Sequence, residues 1–193
     1  MKKYVTVAIA AILITATATA QKANIGIKAG LNVSNIHNDN DVKYDTKTGV
    51  HVGLIGHFHL SKEFAIQPEI VYSQQGAKYT IANVESTLKL DYINVPVMFQ
   101  YMFDNGLRLQ AGPQVGFLAS AKADASNGPT ADVKNDFKSV DFAVGVGAGY
   151  LFVPTGFGID ARYNLGLSDI RKNISVQSTN RGFQLGVFYL FGK

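Results

Sequence analysis

The chain has 193 residues, the size of one ordinary domain. Its 18 Lys and Arg against 14 Asp and Glu become 16 against 14 once Lys2 and Lys3 are set aside, too even a balance for a nucleic-acid footprint. Cysteine is absent, which excludes disulfide staples, thiolate metal sites and cysteine nucleophiles, while 19 Gly, 12 Phe and 9 Tyr with only 17% charged residues favour strands over helices.

The first twenty residues carry the pattern of an export signal. Lys2 and Lys3 form a basic start, an apolar run extends from Val5 to Ile14, and small residues end in Ala18-Thr19-Ala20 before Gln21. That apolar run is shorter than the roughly 20 residues a spanning helix needs. Residues 1–20 are therefore read as a cleaved signal peptide and 21–193 as one β-barrel domain beyond the inner membrane.

Period-two alternation dominates the rest, as in strands with one apolar and one polar face. The first run sets Ile25, Ile27, Ala29, Leu31 and Val33 against Gly26, Lys28, Gly30, Asn32 and Ser34. The second, near 49–60, opposes Val50, Val52, Leu54, Phe58 and Leu60 to His51, Gly53, Ile55, His57 and His59; the third, near 64–75, opposes Phe64, Ile66, Ile70 and Tyr72 to Gln67, Glu69, Ser73 and Gln75. In the fourth, near 88–101, the apolar positions change parity between Tyr92 and Ile93, which predicts a bulge there or a bend at Pro96. The fifth runs from Leu107 to Phe117, the sixth from Asp141 to Tyr150, the seventh from Phe157 to Gly166, and the eighth carries Phe183, Leu185, Val187, Tyr189 and Phe191 on one face.

The connections alternate in length. Long polar stretches at 36–48, 76–87, 120–138 and 168–181 alternate with tight turns at Ser61-Lys62-Glu63, Asp104-Asn105-Gly106 and Pro154-Thr155-Gly156. Eight strands with short turns at one end and long loops at the other predict an all-β fold, an eight-stranded antiparallel up-and-down transmembrane β-barrel with both termini in the periplasm. A soluble lipocalin-like binding barrel in the periplasm is the alternative, and the faces decide against it. Its polar face would meet water and be rich in Lys and Glu, whereas this one is mostly Gly, Asn, Gln and Ser, and the apolar face gathers aromatics toward both strand ends as two girdles.

Four stretches carry a family resemblance: Tyr92-Ile93-Asn94-Val95-Pro96-Val97 followed by Tyr101, Leu109-Gln110-Ala111-Gly112-Pro113, the run from Phe142 to Tyr150, and Gly186-Val187-Phe188-Tyr189-Leu190-Phe191. Together they resemble the PorT-like outer-membrane β-barrel family over essentially the whole mature chain. The resemblance implies a small barrel of the OmpA/OmpX kind in a Gram-negative outer membrane, without enzymatic activity or cofactor. Its named member is linked to protein secretion.

Motifs that carry chemistry are few. Gly145-x-Gly147-x-Gly149 lies within a strand pattern with no helix after it, so its glycines make room for neighbouring side chains rather than a dinucleotide. His51, His57 and His59 share a face, and His57-x-His59 could chelate a metal, but no third ligand is evident and packing is the ordinary role. Asp39 and Asp41 could meet a divalent ion, although a solvated acidic loop is the usual case. No catalytic, cofactor or metal residue is assigned.

The polar face carries Lys28, Glu69, Arg108, Asp141, Asp160 and Arg162, three bases and three acids. Buried ions must be paired or hydrated, so these six are expected to form a structural network filling a lumen only wide enough for side chains. Three function classes remain: a monomeric structural or surface-interaction barrel embedded in outer-membrane lipid and meeting a protein partner through four long extracellular loops, a narrow channel, or an outer-membrane enzyme. No nucleic-acid partner is expected.

Overall fold

The computed structural model describes residues 23–38, 44–81, 84–126, 128–172 and 177–192. The segment read as a signal peptide, Asp39, Asp41 and Asn127 lie outside them. The long strands are β1 (Ala23–Asn38), β2 (Asp45–His59), β3 (Phe64–Ile81), β4 (Val84–Met102) and β5 (Leu107–Ala125), then, after a two-residue β6 (Ala131–Asp132) and a 3₁₀ turn at Lys134–Asp136, β7 (Val140–Phe152), β8 (Phe157–Gly166) and β9 (Ser178–Leu190). Each long strand pairs antiparallel with its neighbour, β1 pairs with both β2 and β9, and β5 pairs with β4 and β7. The eight long strands therefore close into a ring, which leaves no open edge in the wall. β6 lies against the upper end of β5.

The alternation sorts the side chains. Along β1, Lys28, Asn32 and Ser34 are buried while Ile27, Leu31 and Val33 face outward. The outward set includes Leu31 at 54%, Val52 at 54%, Ile70 at 58% and Leu185 at 55% exposure, an apolar surface that continues around the ring. So large an apolar surface is not left to water, and a bilayer covers it. At the short-turn end the rings interlock edge to face, Phe64 with Tyr101 at 5.2 Å, Tyr101 with Phe103 at 4.9 Å and Tyr189 with Phe191 at 5.2 Å between centroids. These amphipathic belts suit the headgroup level.

The tight turns are closed by their own side chains. Ser61 Oγ accepts hydrogen bonds from the Glu63 and Phe64 amides, Asn105 Oδ1 from the Leu107 amide, and Thr155 Oγ1 from the Phe157 amide.

Two expectations need correction. The side chains of β4 keep one parity throughout, with Leu88, Leu90, Tyr92, Asn94, Met98 and Gln100 all inward. The bulge lies on the partner strand, where Asp91 pairs with Ser120 and Tyr92 with Leu118, leaving Ala119 as the extra residue. Leu88, Leu90 and Tyr92 point inward because the upper barrel holds an apolar cluster, while Lys89 on the opposite face is exposed. The second correction concerns the loops. Most of 76–87 is strand: β3 runs to Ile81 and β4 begins at Val84, so this connection is a tall hairpin. Gly76 sits at φ +126°, a backbone conformation that favours glycine, and the parity of β3 continues through it, with Ala77 inward like Val71 and Ser73 and Lys78 outward. Likewise 120–138 is shortened by β5, which continues to Ala125.

Val146→Arg places a charge on the lipid face near mid-strand and should lower stability by about 2 to 4 kcal/mol. Thr130→Arg, at an exposed loop position, should leave stability unchanged. Urea unfolding followed by heat-modifiable gel migration measures both, and equal losses would contradict the lipid-facing assignment.

Candidate functional site

Four of the six lumen charges meet at mid-height. Arg162 grips Glu69 with two parallel bonds, Nη1 to Oε2 at 3.1 Å and Nη2 to Oε1 at 2.7 Å. Lys28 Nζ bridges Glu69 Oε2 at 3.3 Å and Asp160 Oδ2 at 3.1 Å, and Asp160 approaches Arg162 at 3.8 Å. Gln67 donates to Glu69 at 2.9 Å, while Gln110 accepts from both Arg162 and Gln100. Two cations and two anions cancel here, with Glu69, Lys28 and Arg162 almost fully buried. Glycine provides the room. A Cβ on Gly145 would lie 3.2 Å from Arg162 Cδ, and one on Gly186 would lie 3.0 Å from both Asp160 Oδ1 and His51 Nε2.

Arg108 and Asp141 lie apart from this cluster, although the sequence grouped all six. Arg108 rests lower, its guanidinium carbon 5.8 Å from the Phe188 ring centroid, beside the apolar set Ile55, Leu151, Phe188 and Leu190. Asp141 is higher, accepting from Ser168 Oγ at 2.7 Å and Asn180 Nδ2 at 2.8 Å. The histidines are also divided. His51 Nδ1 bonds Asn32 Oδ1 at 2.8 Å, whereas His57 and His59 stack edge to face at 4.6 Å nearer the short-turn mouth. Among the described residues no group of three or more His, Cys, Asp or Glu is placed to hold a metal ion.

Above the polar layers is a feature that the sequence reading missed. Ile36, Ala77, Leu88, Leu90, Tyr92, Leu118 and Ala121 from the wall pack around Phe137 and Ile170 from two connections. Phe137 and Ile170 are 3% and 1% exposed, so these connections reach into the mouth as an apolar lid. Backbone bonds hold the two connections together, Lys138 N to Ile170 O at 2.8 Å and Lys172 N to Asp136 O at 2.9 Å, and Arg171 stacks over the Phe137 ring at 5.4 Å. Asn180 donates to the Tyr92 hydroxyl and joins the lid to the polar layer. The available signal was Lys89: a charge on the face opposite Leu88 and Leu90 places this part of the strand beyond the bilayer, where the apolar side turns inward.

Asp169 latches the lid. It accepts from the Ser178 and Arg171 amides and from Lys138 Nζ. Desolvation raises its pKa, but these donors outweigh it and hold the carboxyl below its ordinary value. A depressed folded value means that the ionised latch stabilises the lid above the unfolded pKa and is lost as pH falls through the folded one. The protection of the Ile170 amide against hydrogen exchange, relative to its intrinsic rate, should fall on acidification below the usual carboxylate range, and Asp169→Asn should show the same loss of protection at neutral pH. At the ion cluster, Glu69→Gln leaves Lys28 and Arg162 with only Asp160 and should cost about 3 to 5 kcal/mol in detergent unfolding, the penalty for an uncompensated buried charge. An outward Leu185→Ala change should cost far less.

The model of the outer membrane protein beta-barrel domain matches residues 19–172. No curated protein matches the chain. Among solved structures, neisserial surface protein A is similar at 12% identity and a TM-score of 0.58, covering 88% of this chain and 99% of that one. Ail, the attachment invasion locus protein of Yersinia pestis, is similar at 16% identity and 0.53, with the same coverages of 88% and 99%. Ail in complex with the heparin analogue sucrose octasulfate is similar at 17% and 0.51, again over 88% and 99%. The closed eight-strand ring, its lipid-suited outer face and the family match over most of its length agree: this chain belongs to the outer membrane protein beta-barrel domain family.

Proposed function

We propose that the protein is a closed, monomeric outer-membrane barrel whose role is carried by what it displays outside the cell. The observation that carries this reading is the filled lumen: among the described residues, an apolar cluster lies toward each end and a paired ion cluster lies between them. The outer end, by contrast, offers a large surface built from the tall β3–β4–β5 wall, β6 and the lid. Its exposed charges are mixed in sign, with Lys89 bridging Asp124 and Lys138 bridging Asp169. Such a surface suits a polar partner, and Ail, of the same fold, is known in complex with a heparin analogue. The PorT-like segments around Tyr92–Val97 and Gly186–Phe191 and the export pattern of residues 1–20 support delivery to a Gram-negative outer membrane by a cleaved signal. The reading assigns no reaction to the protein.

In planar bilayers the purified barrel should give no steady conductance, and unit current steps would favour the channel reading. Cells displaying the barrel should adhere to heparin-coated surfaces. Replacing residues 128–135 by a Gly-Ser pair should return adhesion to background while keeping heat-modifiable migration.

A further inference from the structure

The short-turn mouth holds a cavity of about 170 Å³ that the outward-facing reading does not use. Asn24, His57, His59, Lys62, Asp104 and Arg108 line it, so its charged wall has two permanent cations and one acid. Arg108 is 5% exposed and its Nη1 has no hydrogen-bond partner; among the described residues it forms no ion pair. Its guanidinium carbon lies over the Phe188 ring at 5.8 Å from the centroid. A buried guanidinium without an ion-pair partner is costly, and the one acid of the lining, Asp104, is exposed and leaves the wall with a net positive charge that an anion from outside would offset.

We propose that this cavity binds a small phosphate-class oxyanion, a free solute on the periplasmic side. The size fits: at about 30 Å³ per water, the space equals about six waters, enough for one tetrahedral anion with part of its hydration. The donor arrangement selects a tetrahedral over a planar group, because Asn24 on β1, the histidines on β2, Lys62 in the β2–β3 turn and Arg108 on β5 approach from different sides. Arg108 supplies the charge-assisted hydrogen bonds and Lys62 a mobile second cation at the rim. A lipid headgroup is a poor occupant because Asn24, His57 and Arg108 belong to the inward face, behind the wall that lipid touches. The short-turn end is the periplasmic end in outer-membrane barrels, so the site opens to that compartment.

The test is a titration of inorganic phosphate into the mature barrel folded in a phosphate-free detergent, followed by ³¹P NMR line broadening. Saturable binding that weakens at least tenfold in Arg108→Gln and severalfold in Lys62→Gln, but not in the lid variant Lys138→Gln, supports the site. Heat-modifiable migration checks folding of each variant. If Arg108→Gln does not fold, Lys62→Gln carries the test, since Lys62 is an exposed turn residue. Absence of saturable binding, or equal binding by wild type and Lys62→Gln together with Arg108→Gln where it folds, would overturn the proposal. Acetate binding as tightly as phosphate would overturn the preference for a tetrahedral anion.

Discussion

The bidentate pair between Arg162 and Glu69 is the contact on which the interior depends. It joins β8 to β3, strands separated in the ring by β9, β1 and β2, so it ties the wall across the lumen and not along it. Lys28 on β1 and Asp160 on β8 complete a neutral set. Buried ion pairs give little net stability against an apolar core of equal volume, but any register slip in β1, β3 or β8 would strand a charge. The cluster thus acts as a register lock in a fold whose inward and outward residues differ by a one-residue shift.

An eight-strand lumen can only be filled by side chains, and the glycines of β7 show how it is filled. With small residues from Ala143 to Gly149 on its inward face, β7 makes room for Arg162 and Met98. Large residues from one side are matched by glycine from the other. The same economy explains why the interior changes character with height: apolar around Phe188, ionic at Glu69, amide-rich toward Asn180, then apolar again around Phe137. Each layer answers to the solvent beyond the wall. Within the bilayer the outside must be apolar and the inside takes the polar groups; above it the outside meets water and the inside becomes an ordinary protein core.

The unequal wall follows from that reversal. β3, β4 and β5 continue past the membrane because Ala77, Leu88, Leu90 and Ala121 find an apolar cluster to join, and Phe137 and Ile170 close it from above. The lid is therefore part of the fold, not a set of loose connections, and its displayed face is presented on a firm base.

Strand number, antiparallel order, turn positions and the lipid face were legible in the sequence, because period-two alternation is local and Ile27, Leu31, Val52 and Val146 report their environment directly. The family resemblance reached the same barrel. The lumen residues were legible as a set, since a charge at inward parity can only enter the interior. Their grouping was not: Arg108 and Asp141 share the parity of Glu69, yet height along the strand, set by inter-strand stagger, places one against Phe188 and the other beside Asn180. The inward turn of Leu88, Leu90 and Tyr92 was likewise decided by tertiary structure. Alternation separates two faces but does not name them, and only the closed ring, with two connections folded into its mouth, makes the inside the apolar side there.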